Sequence, residues 1–145
     1  MLSEEQLSQI VGRRLPGGEY TIEPYVNWLV NDIVEAPVDS PVAHPLFAYI
    51  ASARGKGLPW DEVFEICGAT AADGPLFGEH RTELLRPLVP GETLTAAGEF
   101  TTAVRKSGRK TGVFDIVGFE VTLTGADGEV AARTYNSVVY PRRAA

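Results

Sequence analysis

The chain of 145 residues has little that could cross-link it, bind a metal or bind nucleic acid. It contains one cysteine, Cys67, so no internal disulfide can form and no cysteine cluster can hold a metal. Its 13 lysine and arginine residues face 19 aspartate and glutamate residues, which gives a net charge of -6. A phosphate backbone requires a basic surface. We therefore expect no metal, no redox cofactor and no nucleic-acid partner, and we expect Cys67 to be a small core residue.

Long apolar runs are also missing, and we expect no secretory leader. No apolar run approaches a length of about 18 residues, which a membrane-spanning helix needs. The first six residues (MLSEEQ) are acidic and polar, whereas a secretory signal is basic and then apolar. At this length we expect one domain, residues 1–145, of a cytoplasmic protein that has no membrane partner.

Helical signals are confined to the first half of the chain. The segment Leu46–Ala51 is apolar on nearly every side and follows Pro45, which suits a first helical turn, so it predicts a buried central helix. Further helices are predicted over 25–35 and 59–67, and Ser3 to Gln6 forms a capping box. In the 25–35 helix the polar Asn31 is expected to face solvent. The apolar stripe expected to face inward there is Val26, Leu29, Val30, Ile33 and Val34.

From Leu76 onward the sequence alternates between apolar and polar residues, which predicts an antiparallel sheet. A short strand over Tyr20–Ile22 precedes it. The main strands are placed at Leu76–Leu85, Thr93–Lys106, Lys110–Thr124 and Glu129–Pro141. Helices followed by long strands predict an α+β fold in which one long antiparallel sheet wraps around the central helix.

Two hairpin turns set the predicted pairing of these strands. A two-residue turn at Ser107-Gly108 puts Ala96 opposite Phe119 and Thr102 opposite Val113. A turn at Asp127-Gly128 puts Ala132 opposite Leu123, Thr134 opposite Val121, Val138 opposite Val117 and Asn136 opposite Phe119. Both turns direct one face of the middle strand toward the helix: Val113, Val117, Phe119, Val121 and Leu123.

Asp115 falls on that face, opposite Phe100 and Tyr140, and is expected either in water at the end of the sheet or at a channel mouth.

Particular segments carry a family resemblance. Residues Leu85 to Leu94 (LRPLVPGETL) resemble the RP-x-x-x-G-D-x-L segment of MaoC-like acyl-thioester dehydratases and hydratases, with Glu92 where aspartate is usual. Val42 to Phe47 resembles the entry to the central helix of that family. The segments 106–110 and 136–143 are similar to its FAS1-like dehydratase branch. The resemblance implies the hotdog fold, in which a long sheet wraps around a buried helix.

The resemblance also implies substrates and partners. Members act on 2-enoyl or 3-hydroxyacyl groups carried as thioesters on coenzyme A or acyl carrier protein. They pair edge to edge with the acyl tunnel between protomers, which implies a homodimer or a heterodimer with another hotdog subunit. Pairing would also cover the open edges of the sheet.

Active members of the family carry a D-x-N-P-x-H motif. The stretch from Asp39 to His44 (DSPVAH) keeps the aspartate and the histidine at that spacing but has Pro41-Val42 in place of Asn-Pro. The resemblance therefore implies Asp39 and His44 as the catalytic acid/base pair. It implies the backbone amides at the start of the central helix, those of Leu46, Phe47 and Ala48, as donors to the thioester carbonyl.

Other interpretations of these residues stay open. Asp39 is also typical of a turn residue, and His44 could simply cap or pack at the helix start. His80, the remaining histidine, is expected to face solvent or an interface. The chain is accordingly a hydratase/dehydratase or a subunit of one, a silent acyl-binding or scaffolding subunit, or a hotdog thioesterase with Glu35 or Asp39 as its carboxylate.

Overall fold

The computed structural model describes residues 1–142. Within them lies one antiparallel sheet of five strands in the order β1-β3-β4-β5-β2. The strands are β1 (Gly18–Thr21), β2 (Leu76–Leu84), β3 (Thr93–Gly108), β4 (Gly112–Thr124) and β5 (Val130–Arg142). Each predicted strand is present, and the boundaries differ by a few residues at most.

Four α-helices precede the long strands. They are α1 (Glu4–Ser8), α2 (Pro24–Ile33), α3 (Phe47–Gly55) and α4 (Trp60–Ile66), and a short 3-10 turn follows at Ala71–Asp73. The predicted capping box opens α1: Ser3 Oγ accepts from the Gln6 amide at 3.1 Å, and Gln6 Oε1 accepts from the Ser3 amide at 2.9 Å. None of the helices in residues 1–142 has the length and apolar character that a bilayer crossing requires.

Helix α3 is the buried helix that the sequence predicts. Its residues Phe47, Ala48 and Ala51 are fully buried in a core shared with the inner faces of the strands. At its end Gly55 lets the helix come close to β3, since a Cβ atom there would lie 2.7 Å from that of Ala96. The predicted arrangement of a sheet wrapped around a central helix is confirmed, and Cys67 is buried in the same core.

The predicted pairing is confirmed for one hairpin and wrong for the other. Strands β4 and β5 pair as predicted, with Leu123 opposite Ala132 and Val117 opposite Val138. Between β3 and β4, however, Ala96 lies opposite Leu123 rather than Phe119, and Thr102 lies opposite Gly118 rather than Val113. The turn does not occur at Ser107-Gly108. Strand β3 continues to Gly108, the loop is residues 109–111, and Gly112 takes a positive φ of 69° to begin β4.

The corrected pairing changes the environment of Asp115. Its partner on β3 is Arg105, not Phe100, while Tyr140 lies opposite on β5 as predicted. Asp115 is fully buried, so it lies neither in water nor at a channel mouth. Its Oδ1 atom is 2.7 Å from Arg105 Nε, and its Oδ2 atom is 2.7 Å from Arg142 Nε. Burial alone would raise the pKa of Asp115, but the hydrogen bonds and charges of the two arginines outweigh burial and lower it.

The orientation of helix α2 agrees only in part with the one predicted: Val26 and Val30 pack against the core, but the rest of the predicted apolar stripe is exposed. Its buried side chains are Asn27 and Asn31, which are 3% and 2% exposed. Ile33, by contrast, is 78% exposed. The exposed apolar residues of this helix and the turn after it are Tyr25, Trp28, Leu29, Ile33 and Val34. Helical spacing predicts the correct element, but the most deeply buried positions of its inner face are the two asparagines. Val113, expected on the core face of β4, is also 38% exposed.

Candidate functional site

A groove lies between the start of α3 and the edge strand β2. Its volume is about 500 Å³, and most of its lining is apolar. We call it the histidine groove; it is lined by His44, Pro45, Leu46, Tyr49, Phe77, His80 and Thr82. Both histidines of the chain are in this set.

His44 is held at both its backbone and its ring. Its backbone amide donates to Oδ1 of the buried Asn27 at 3.0 Å. Its ring Nδ1 accepts from the backbone amide of Leu46 at 3.1 Å. Because Nδ1 is the acceptor, the hydrogen of the neutral ring is carried by Nε2. His44 therefore adds a hydrogen-bond donor to the groove.

His80 faces the groove from β2, on the side of the sheet that faces the helix. Its Nδ1 is 2.8 Å from Oδ1 of Asn136 on β5, and its Nε2 is 2.6 Å from the Thr82 hydroxyl. The ring of Tyr49 meets it edge-on at 4.9 Å between centroids. The sequence predicts His80 in solvent or at an interface and reveals none of these contacts. The available signal was Asn136, a polar residue on the apolar face of its strand, which pairs directly with His80.

The other member of the predicted catalytic pair lies elsewhere. Asp39 is exposed in a turn between α2 and α3, and it is not among the residues that line the histidine groove. Its assignment as a catalytic residue stays a prediction.

The three predicted carbonyl donors differ in their surroundings. Leu46 lines the groove, and its amide is bonded to the His44 ring. The amides of Phe47 and Ala48 donate to the carbonyls of His44 and Pro45 at 3.0 and 3.1 Å, and both residues are fully buried. Of the three, Leu46 is the one that lines the groove.

The segment that resembles RP-x-x-x-G-D-x-L forms hydrogen bonds that hold the chain just before His44. Glu92 accepts from Arg86 through both carboxylate oxygens, at 3.1 and 2.8 Å, and from the Val89 amide at 2.6 Å. This closes a tight loop between β2 and β3. Within the loop the Leu88 carbonyl accepts from the Ala43 amide at 2.7 Å. The motif therefore fixes the residue that directly precedes His44.

A second groove begins on the other side of Tyr49. Its volume is about 880 Å³, and its lining includes Tyr20, Tyr49, Lys56 and Trp60. The Lys56 ammonium lies 4.4 Å from the centre of the Trp60 ring and donates to the Ala53 carbonyl at 2.7 Å. Burial lowers the pKa of Lys56, and the neighbouring positive charge of Arg54 lowers it further. Tyr49 is thus a wall shared by the two grooves.

Several solved structures resemble this one. A chain of the truncated HadBC (3R-hydroxyacyl-ACP dehydratase) complex of Mycobacterium tuberculosis is 17% identical over 90% of this chain and 96% of that one, with a TM-score of 0.64. A chain of the ChsH1-ChsH2 complex of the same organism is 15% identical over 98% and 93%, with a TM-score of 0.72. The R-hydratase PhaJ1 of Pseudomonas aeruginosa is 12% identical over 92% and 83%, with a TM-score of 0.56. At such identities the likeness establishes the hotdog fold.

Sequence comparison gives the family. No curated protein sequence is significantly similar to the chain. The family model described as the FAS1-like dehydratase domain region matches residues 36–134, a span that contains the histidine groove and most of the sheet. The chain belongs to the family of FAS1-like, MaoC-type dehydratase domains.

Proposed function

We propose that the chain is an acyl-thioester hydratase/dehydratase, or a subunit of one, and that its chemistry takes place in the histidine groove. The substrates are 2-enoyl or 3-hydroxyacyl groups on coenzyme A or acyl carrier protein. One observation carries the proposal: in a FAS1-like dehydratase domain, both histidines of the chain line one apolar groove beside the central helix.

The groove has the kinds of groups that this chemistry needs. Hydration of an enoyl thioester requires a base that takes a proton from water and a donor that stabilises the negative charge on the thioester oxygen. Imidazole can act as either at neutral pH. His44 is the member of the predicted pair that lines the groove. Asp39 is exposed and is not among the lining residues, so its part in the reaction is a separate prediction.

We also propose that the working form is a homodimer or a heterodimer with another hotdog subunit. Strand β2 is at the edge of the sheet and is exposed along almost its whole length, with Leu76 and Phe77 60% and 56% exposed. Further apolar side chains are exposed on α2, among them Trp28 and Ile33. Two of the similar structures are chains of two-protein complexes, HadBC and ChsH1-ChsH2.

A specific observation favours a second candidate function. The Asn-Pro of the family motif is replaced by Pro41-Val42, and Asp39 is exposed outside the groove. A chain that lacks a working acid/base pair would instead shape the acyl site for a catalytic partner. This is the silent acyl-binding subunit.

Turnover by the purified chain separates these functions. Hydration is measured with crotonyl-CoA and with longer enoyl-CoAs for the wild type, His44→Ala and Asp39→Asn. Loss of a group that transfers protons lowers kcat by about 100-fold to 10,000-fold. Asp32→Asn is the matched control, since Asp32 is an exposed acid on α2. Hydration that is unchanged in both site variants contradicts the pair; no hydration by the wild type with any of these substrates contradicts the catalytic proposal and favours the silent subunit.

A further inference from the structure

We propose that His80 is the proton-transferring residue of the groove, that Asn136 and Thr82 are its positioning residues, and that His44 is the hydrogen-bond donor to the thioester oxygen. The inference rests on the proposed function and goes beyond it, because it gives the base role to a strand residue outside the D-x-N-P-x-H stretch.

The first step is the hydrogen-bond pattern of His80. The Oδ1 atom of Asn136 can only accept, so Nδ1 of His80 is the donor in their 2.8 Å contact. The Nε2 atom of the neutral ring is then the acceptor in its 2.6 Å contact with the Thr82 hydroxyl. Nε2 therefore carries a lone pair, as a general base must.

The second step is the burial of Asn136, which is 2% exposed. Its Nδ2 atom is buried and has no hydrogen-bond partner among the described residues. A buried amide that satisfies only half of its hydrogen-bonding groups destabilises a core relative to an apolar side chain. The bond to His80 gives this asparagine a function: it orients the ring and fixes its tautomer.

The third step compares the two histidines. His44 presents Nε2–H because its Nδ1 accepts from the Leu46 amide. His80 presents an unprotonated Nε2 because its Nδ1 donates to Asn136. The two neutral rings thus have complementary roles, one a donor and the other a base. No residue that lines the groove in the described part of the chain is acidic, so His80 is the available base there.

The reaction balances with these two groups. Water displaces the Thr82 hydroxyl from His80 Nε2, and Nε2 takes a proton from that water while the water oxygen bonds to C3 of the enoyl thioester. The electrons of the C2–C3 double bond move toward the thioester oxygen, where the His44 Nε2–H donates a hydrogen bond to the enolate. The His80 imidazolium then returns the proton to C2, which gives the 3-hydroxyacyl thioester and regenerates the neutral ring. Dehydration is the same sequence in reverse.

Kinetics test the roles directly. His80→Gln is expected to lower kcat for crotonyl-CoA hydration by about 100-fold or more. Glu79→Gln is the matched control, since Glu79 is an exposed neighbour on the same strand, and it is expected to keep the wild-type rate. Asn136→Leu is expected to lower kcat more than it raises KM, because it releases the ring without removing a substrate contact. A His80→Gln enzyme with a rate within threefold of the wild type would overturn the proposal, most clearly if Asp39→Asn is inactive.

A second measurement does not depend on turnover. With two histidines in the chain, nitrogen NMR of the protein labelled with ¹⁵N-histidine gives two ring systems, and the His44→Gln spectrum assigns them. At a pH at which both rings are neutral, we expect the ring hydrogen on Nδ1 of His80 and on Nε2 of His44. The reverse tautomer for His80 overturns the inference even if the enzyme is active. Absent turnover in a protein with the expected tautomers would overturn the catalytic roles and the proposed function together, while leaving the hydrogen-bond assignments correct.

Discussion

Asn27 Oδ1 accepts the backbone N–H of His44 at 3.0 Å, so the buried face of α2 fixes the main chain of a groove residue. Asn27 is itself buried, with 3% of its surface exposed. The polar inner face of α2, unexpected in a helix with exposed apolar residues, is thereby explained at this position: the chain at the start of α3 needs an acceptor that an apolar residue does not provide.

This bond predicts a stability difference between two asparagines one helical turn apart. Asn27→Leu leaves a buried amide without an acceptor and is expected to destabilise the fold by about 1–3 kcal/mol. Asn31→Leu is expected to cost less, because the buried Nδ2 atom of Asn31 has no partner within the described residues. Urea unfolding of both variants measures the difference. Equal losses of unfolding free energy in the two variants would contradict a stabilising contribution from the His44 contact.

A second prediction concerns Glu92, which stands where the related family has aspartate. The hydrogen bonds from Arg86 hold the loop, and the same contact raises the pKa of the Arg86 guanidinium. Glu92→Ala is expected to cost about 1.5–3 kcal/mol in urea unfolding, the range for hydrogen bonds to charged groups. The control is Glu83→Ala: its pair with Arg133 is 3.6 Å long and exposed on both sides, and its loss is expected to change stability by less than about 0.5 kcal/mol.

Association is tested at the exposed face of α2. Ile33→Glu places a charge where an apolar side chain is 78% exposed, and a partner that covers this face would have to desolvate it. A cost of about 1.4 kcal/mol raises a dissociation constant tenfold. Analytical ultracentrifugation of a dilution series should therefore show weaker self-association, or weaker binding to the partner subunit.

Val11→Glu is the control for that experiment. Val11 is 48% exposed but follows α1 in the chain and belongs to neither α2 nor β2. Equal weakening by both substitutions would point to a general effect of added charge, and no weakening by Ile33→Glu would remove α2 from the interface.

Acid sensitivity is predicted at Asp115. Its pKa is lowered in the folded state, so its contribution to stability is complete above the unfolded value of about 3.9 and is lost as the pH falls through the folded value. Asp115→Asn leaves Arg105 and Arg142 without their carboxylate and is expected to destabilise the protein by about 3–5 kcal/mol at neutral pH. Urea unfolding of both proteins from pH 7 to pH 2.5 should show this gap closing below about pH 4. A difference in unfolding free energy that does not change with pH would contradict a stabilising contribution from the ion pairs of Asp115.

How far the sequence predicts the fold depends on local signals. The Asp127-Gly128 turn gives the β4–β5 register correctly because the count of residues between the paired strands is set there. The β3–β4 register is not available from Ser107-Gly108, since the loop is formed by residues 109–111 and a bulge between Phe100 and Thr102 shifts the pairing again. That error concealed the partner of Asp115.

The functional site, too, is predictable from the sequence only where a local motif describes it. His44 is identified by its position before the central helix, which a linear motif can describe. His80 is separated from Asn136 by more than fifty positions in the chain and meets it only through strand pairing. No spacing rule reveals such a contact, and the amide on an apolar strand face is the one trace that it leaves in the sequence.

Strand β2 carries both Phe77 and His80 on the outermost row of the sheet. Whatever protein extends that row also becomes a wall of the cavity beside it. Under the proposed function, a change of partner subunit would therefore change which acyl chains fit the groove without any mutation in this polypeptide, and substrate range would depend on which subunits associate.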